Sequence, residues 1–311
     1  MNSNFRYIFI IISIILLFIF GWEFILRQIP NDYNYKSNYI KENGSKIETL
    51  ILGSSHTFTG LNPNKFKSNT FNAAYSSQTL NLDYEIFEKN KKHLTNLKTI
   101  IIPISYFTFT SQLDDFAEKK IKFYNIYWNI QTGYSDLNKN FELVAEPIDV
   151  NYTKIINYIK LRNYNITIDG KGYIKQRFEP KWNDEENSLK AFKRHRANMG
   201  TQKVRNVIKT HYHLLENIIK YTKEHNISVV LLTTPTTDLY KDYVIKTPQY
   251  FNLKQNVEKL SNNENVLFID YFINNKDFKL KDFKDSDHLS ADGANKFSIK
   301  VDSILLHNSI H

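Results

Sequence analysis

The sequence contains no cysteine. Disulfides and thiolate metal sites are therefore excluded, and cysteine usage says nothing about redox compartment. Gly-rich phosphate loops and nucleic-acid recognition motifs are also missing, although a formal charge of +9 invites a polyanionic partner. The basic residues are spread along a chain rich in Lys, Asn, Ile and Tyr throughout. The charge thus reads as a compositional bias with weak attraction to anionic surfaces, and no nucleic acid is expected as a partner. There is no internal repeat and no low-complexity tract beyond that bias. Helical metal-ligand pairs are lacking too: His211 and His213 stand two apart, a spacing that diverges on a helix. Neither a metal nor a cofactor is expected.

Charge is scarce at the start of the chain. Tyr7 to Trp22 is almost wholly apolar, with Arg6 before it and Glu23 and Arg27 behind. About 16 residues at 1.5 Å rise span roughly 24 Å, slightly short of a bilayer core, and Glu23 can reach toward the interface. Bulky Trp22, Phe24, Ile25 and Leu26 stand where a signal peptidase site would need small residues, which favours an uncleaved signal anchor. The expected organisation is an anchor over residues 1–28, a polar juxtamembrane spacer over 29–45 and a folded domain over 46–311. With so short an N-terminal anchor, the amino terminus is expected inside the cytoplasm and the main domain outside it.

Past residue 46, short apolar runs alternate with helical patterns. Glu48 to Leu52, Asn69 to Ala74, Thr99 to Ile104, Ile227 to Leu232 and Val266 to Ile269 have the length and content of buried strands. Between them, Thr79 to Leu94 carries Leu82, Ile86, Phe87 and Leu94 at helical spacing, with acidic residues early and Lys91 and Lys92 late, as the helix dipole favours. Val204, Val207, Ile208, Leu215, Ile218 and Ile219 form a second stripe, Tyr250 to Leu260 a third helix, and Phe297, Val301, Ile304 and Leu305 a last one. Strand, helix and strand at this spacing predict a parallel sheet of about five strands in a flavodoxin-like, three-layer α/β fold. Pro103 predicts weakened pairing at the end of the third strand. From about residue 110 to 202 the alternation stops. That segment reads as an inserted cap, whose aromatic residues, Trp128 and Trp182 among them, either line a sugar-binding cleft or, more simply, pack the cap's own core. Its cluster Lys190, Lys193, Arg194, His195 and Arg196 reads as a solvated helix face.

In an open α/β sheet, ligands bind beyond the carboxyl ends of the strands. The loops there carry Gly53-Ser54-Ser55-His56, Tyr75-Ser76-Ser77-Gln78, Ser105, and Asp285-Ser286-Asp287-His288. A serine just past a Gly that bends the backbone suits a nucleophile, and ester chemistry further needs a base and a carboxylate to orient it. Asp285 and His288 lie three apart and can be neighbours within one turn. Asp287 is the alternative carboxylate, expected to point away along the turn. Ser54 reads as structural, and His56 as a neighbour of the nucleophile or a packing residue. Gly-x-Ser-x-Gly is absent, because Thr57 stands at the second Gly, which argues against an α/β-hydrolase.

Gly53-Ser54-Ser55 after the first strand, and Asp285-Ser286-Asp287-His288 with Leu289, Gly293 and Ala294 before the last helix, resemble two blocks of the SGNH (GDSL-like) hydrolases. The resemblance covers about residues 46–109 and 226–306. The anchor, the insertion and the Gly-Ser-Ser-His form resemble the membrane-anchored members that act in cell-envelope glycan acylation. It implies Ser55 as nucleophile, His288 as base, Asp285 as its orienting carboxylate, and an oxyanion hole made from the backbone N–H groups of Ser55 and Ser77. It further implies an acylated glycan or other ester as substrate, with a membrane acyltransferase as a candidate partner. Two blocks depart from the family. Ser77 stands where a Gly is usual, and the third block, at Ser105, has no Asn to complete the hole, a loss worth roughly 10²–10³ in rate. The implied function is a membrane-anchored serine esterase or O-acyltransferase of an envelope polysaccharide, the alternative being a catalytically weak binding or accessory protein on the same fold.

Overall fold

A computed structural model describes residues 3–112, 117–162, 164, 166–179 and 184–308. Trp182 lies outside the described residues. In chain order the helices and strands are α1 (Ser3–Gln28), α2 (Asp32–Asn43), β1 (Thr49–Ile51), α3 (Ser55–Gly60), β2 (Thr70–Asn72), α4 (Leu80–Asn90) and β3 (Thr99–Pro103). Then come α5 (Ile121–Tyr127), α6 (Leu137–Asn140), α7 (Glu142–Ala145), α8 (Ile148–Leu161), α9 (Asp184–Arg194) and α10 (Gln202–Glu224). The chain closes with β4 (Ser228–Thr233), α11 (Asp238–Val244), α12 (Pro248–Ser261), β5 (Val266–Asp270) and α13 (Ala291–His307). The chain forms two compact units, one from residues 1–37 and 118–166, the other from 38–117 and 167–311. The segment expected as a single insertion thus divides between them.

The second unit is an α/β domain around a five-stranded parallel sheet of order β2-β1-β3-β4-β5. That order is the flavodoxin-like one, with its switch point between β1 and β3. The strands match the five apolar runs; β1, β3 and β4, covered on both faces, are β-branched and aliphatic almost throughout, while edge strand β5 leaves Phe268 exposed. Alternation sends Ile51, Ile101, Val230, Leu232 and Ile269 to one face, where they pack with Phe297, Val301 and Leu305 of α13. Leu50, Ile100, Ile102, Val229 and Leu231 are equally buried on the other face, the side of α4 and α10. Pairing does not weaken at Pro103, which stays in register with Leu232. Thr99 N–H and Ile101 C=O bond toward β1, so by alternation the missing N–H of Pro103 falls on that side, where β1 has already ended.

Edge strand β2 is covered rather than open. The turn Asp169-Gly170-Lys171-Gly172 lays its Lys171 carbonyl on the Asn72 N–H at 2.9 Å. Gly172 has φ +78°, and a Cβ there would lie 2.2 Å from the Asn72 carbonyl oxygen, so this close approach requires Gly.

In the first unit, α1 has one candidate membrane span, Phe5–Gln28, long and apolar enough to cross a bilayer. The residues read as a polar spacer contain helix α2. Trp128 and Tyr124 are buried and pack a core, while Tyr127, also buried, borders a cavity of about 600 Å³ together with Phe123 and Tyr164.

Candidate active site

β1 ends at Ile51, and Gly53 turns the chain at φ +111°, with an added Cβ 2.0 Å from Pro103 Cγ. Ser54 caps α3 through the His56 N–H, which leaves Ser55 as the first residue of the helix. Thr57 ties the turn down by donating its hydroxyl to the Leu52 carbonyl at 2.8 Å. At the other end of the chain, Phe283 and Leu289 form an antiparallel bridge that closes Asp285 to His288 into a tight turn, and Ser290 caps α13 behind it.

These two turns meet. Ser55 Oγ lies 2.8 Å from His288 Nε2, and His288 Nδ1 lies 2.9 Å from Asp285 Oδ1. Asp285 Oδ1 also accepts the His288 backbone N–H at 2.9 Å, which fixes the carboxylate against the ring. Ser77, left-handed at φ 65°, lines the same cleft of about 160 Å³, together with Ser54, Thr79, Thr108 and Ser111. No side-chain or backbone partner holds Ser77 among the described residues.

Asp287 does not point away from the imidazole. It is 1% exposed, and its Oδ1 stands 3.3 Å from His288 Nδ1. The backbone turns back on itself here, since the Lys284 N–H bonds the His288 carbonyl, and this curl brings both carboxylates to one ring edge. Asp287 is held by Arg194 at 3.0 and 3.3 Å and by His56 Nε2 at 3.4 Å. Burial alone would lower the basicity of His288, but the Asp287 charge and the hydrogen bond to Asp285 push its pKa up to about 10. Asp287 is held well below the usual carboxylate range, against its own burial, by the charge and hydrogen bond of His288. Burial keeps His56 below the usual imidazole range, with Asp287 pulling the other way. A neutral His56 donates from Nε2 to Asp287 and accepts at Nδ1 from Ser105 Oγ at 3.1 Å, a tautomer assigned from these partners.

Ser105 thus faces His56 behind the Asp285–His288 turn, while its loop gives Phe107, Thr108 and Ser111 to the cleft. Lys190, Lys193, Arg194 and Arg196 are exposed, as a solvated face requires, but Arg194 also reaches in to Asp287 with its side chain 49% exposed. Arg194 and the half-buried His195 line the cleft, and His195 stacks on Phe107 with ring centroids 4.1 Å apart. Asp83, the early acidic residue of α4, is buried. Its Oδ1 accepts the Gly53 N–H at 2.8 Å and the Gln78 amide at 2.6 Å, and so joins the loops of Ser55 and Ser77. Burial pushes its pKa up to about 7, against these two hydrogen bonds.

His56, Asp287 and His288 bring one ligand atom each within 4.8 Å of one another. Those atoms already serve Arg194, Asp285, Ser55 and Ser105, so the trio is an internally bonded network. His211 bonds the Thr108 carbonyl and His213 bonds Glu216, in divergent directions.

No family model and no curated protein matches the chain. Among solved structures, that of a "putative acylhydrolase" from Bacteroides fragilis superposes on 88% of this chain and 96% of that chain, with 11% identity and a TM-score of 0.42.

Proposed function

We propose that this protein is a serine esterase or O-acyltransferase of the SGNH type, with Ser55 as nucleophile, His288 as general base and Asp285 as its orienting carboxylate. The carrying observation is the unbroken chain from Ser55 Oγ through both ring nitrogens of His288 to Asp285, assembled from residues 233 apart in sequence. In this reading Ser55 Oγ attacks an ester carbonyl and its proton passes to His288 Nε2. The negative charge that develops on the carbonyl oxygen is met by the N–H groups of Ser55, at the start of α3, and of Ser77. Collapse breaks the ester C–O bond, and the leaving alkoxide takes the proton from His288. A second acceptor, either water or a glycan hydroxyl, is deprotonated by the same imidazole, attacks the acyl-serine and releases Ser55. The hydroxyl groups around the cleft suit a polyhydroxylic partner, which supports an acylated envelope polysaccharide as substrate. The apolar stretch of α1 supports a single-pass anchor, and this reading puts the main domain outside the cytoplasm, where an envelope polysaccharide lies.

Reaction with a fluorophosphonate probe tests this reading. Ser55 is expected to be labelled, and Ser55→Ala is expected to lose both labelling and turnover of aryl acetates. Undiminished labelling of Ser55→Ala would overturn the assignment.

A further inference from the structure

The first unit leaves apolar side chains in the open on its own helices, outside α1. Ile148, Tyr152, Ile155 and Ile159 of α8 recur at i, i+4, i+7 and i+11, which places them in one stripe along the helix. An amphipathic helix ordinarily buries such a stripe. Here Ile148 is 68%, Tyr152 58% and Ile159 55% exposed, while the buried residue of α8 is Asn151. At 100° per residue, Lys154 and Lys160 fall on opposite flanks of the stripe.

The place of these helices relative to α1 is fixed by hydrogen bonds. The Glu23 carboxylate accepts the backbone N–H groups of Glu142 and Leu143 at 3.2 and 2.8 Å, and so caps α7. Arg27 pairs with Glu23 and donates to the Asn140 carbonyl at 2.9 Å, with its guanidinium over the Phe141 ring. Glu23 is three residues beyond Phe20, about 4.5 Å along the helix. Residues 140–143 are therefore pinned within about one turn of the place where the exposed apolar surface of α1 gives way to charge. Val144 and Ile148, on the segment leading from α7 into α8, are exposed as well.

We infer that α6 to α8 form a collar that lies in the interface of the same bilayer that α1 crosses. The apolar stripe of α8 sits at the headgroup–acyl boundary, and its flanking lysines extend to anionic headgroups. Tyr152 suits this depth, having an apolar ring and a polar end. The inference rests on the membrane-span reading of α1 and goes beyond it, because a tether needs only one helix.

The chain has no cysteine, so each introduced cysteine carries a single label. The full chain, reconstituted in phosphatidylethanolamine–phosphatidylglycerol vesicles, would carry an environment-sensitive fluorophore at Ile148→Cys, Ile159→Cys, Thr153→Cys or Leu17→Cys. Lipids bearing a nitroxide at shallow or deep positions then report depth. Labels at 148 and 159 are expected to shift to the blue and to be quenched by shallow nitroxides several-fold more than the label at 153. The label at 17 is expected to respond to deep nitroxides. Water-like emission at 148 and 159, with 17 embedded, would overturn the collar and leave the span standing. Blue-shifted labels that no lipid nitroxide quenches would mean that protein covers the stripe, and would also overturn it. A label at 17 that no nitroxide reaches would remove the span, and the collar with it.

Discussion

Asp287→Asn removes one of the two negative charges facing the His288 imidazole while keeping the shape of the side chain. At 3.3 Å, two unit charges attract by about 5 kcal/mol at an effective dielectric of about 20, equivalent to roughly 3–4 pKa units. Arg194, 3.0 Å from the same carboxylate, acts on the imidazole before and after the substitution and drops out of the difference. A fall of up to roughly 3–4 units in the His288 pKa is therefore expected on substitution. The sign matters for catalysis. A general base must be neutral to take the Ser55 proton, and with a pKa of about 10 roughly one molecule in 10³ qualifies at pH 7. The wild-type protein should thus show kcat/KM for an aryl acetate rising through the alkaline range, after subtraction of the Ser55→Ala background. Asp287→Asn should move that rising limb toward neutral pH and lower its plateau, because the imidazolium formed in the transition state loses the same charge. Asp285→Asn should lower the plateau further, since it disturbs the 2.9 Å bond that orients the ring. An Asp287→Asn profile that superimposes on the wild type would refute the coupling.

Two further outcomes follow. Asp83 has a folded-state pKa raised from 3.8 to about 7, so the folded protein holds its proton where the unfolded chain has lost it, and stability falls as pH rises from about 4 to 7. Above pH 7 the full cost is on the order of 4 kcal/mol at ~1.36 kcal/mol per unit. Asp83→Asn should accordingly raise the melting temperature at pH 8 and give no gain below about pH 4, and a pH-independent change would remove the buried-carboxyl account. For topology, a reporter that matures only outside the cytoplasm, fused after His311, should be active; activity confined to a cytoplasmic reporter would reverse the orientation.

The sheet was legible because β1 to β4 are buried on both faces, while β5, with Phe268 exposed, was found from its apolar run alone. Runs such as Thr99 to Ile102 need no partner to be recognised, and the edges found differ from those expected by a residue or two. Ser55, His288 and Asp285 were legible for a different reason, since turn chemistry places all three beyond strand ends. The network around them was not. Whether Asp287 points at or away from its neighbour depends on the curl of one irregular turn, which no periodicity encodes. Arg194 reaches Asp287 across 93 residues, from a helix whose charges resemble any solvated face. Asp83 looked like an acidic residue placed for the helix dipole. Its carboxylate instead turns inward to the Gly53 N–H, a contact set by how α4 docks on the sheet.

The covering of β2 by the Asp169–Gly172 turn has a consequence for self-association. An uncovered edge strand displays a row of free N–H and C=O groups that any extended peptide can extend into a larger sheet. With Asn72 N–H already engaged by Lys171, β5 is left as the edge at which this sheet can recruit another chain. The turn at residues 169–172 thus occupies the Asn72 end of that edge, whatever else the long segment does. A shortened natural variant could dispense with them only by bringing another device, such as a proline or an edge lysine, to the same strand.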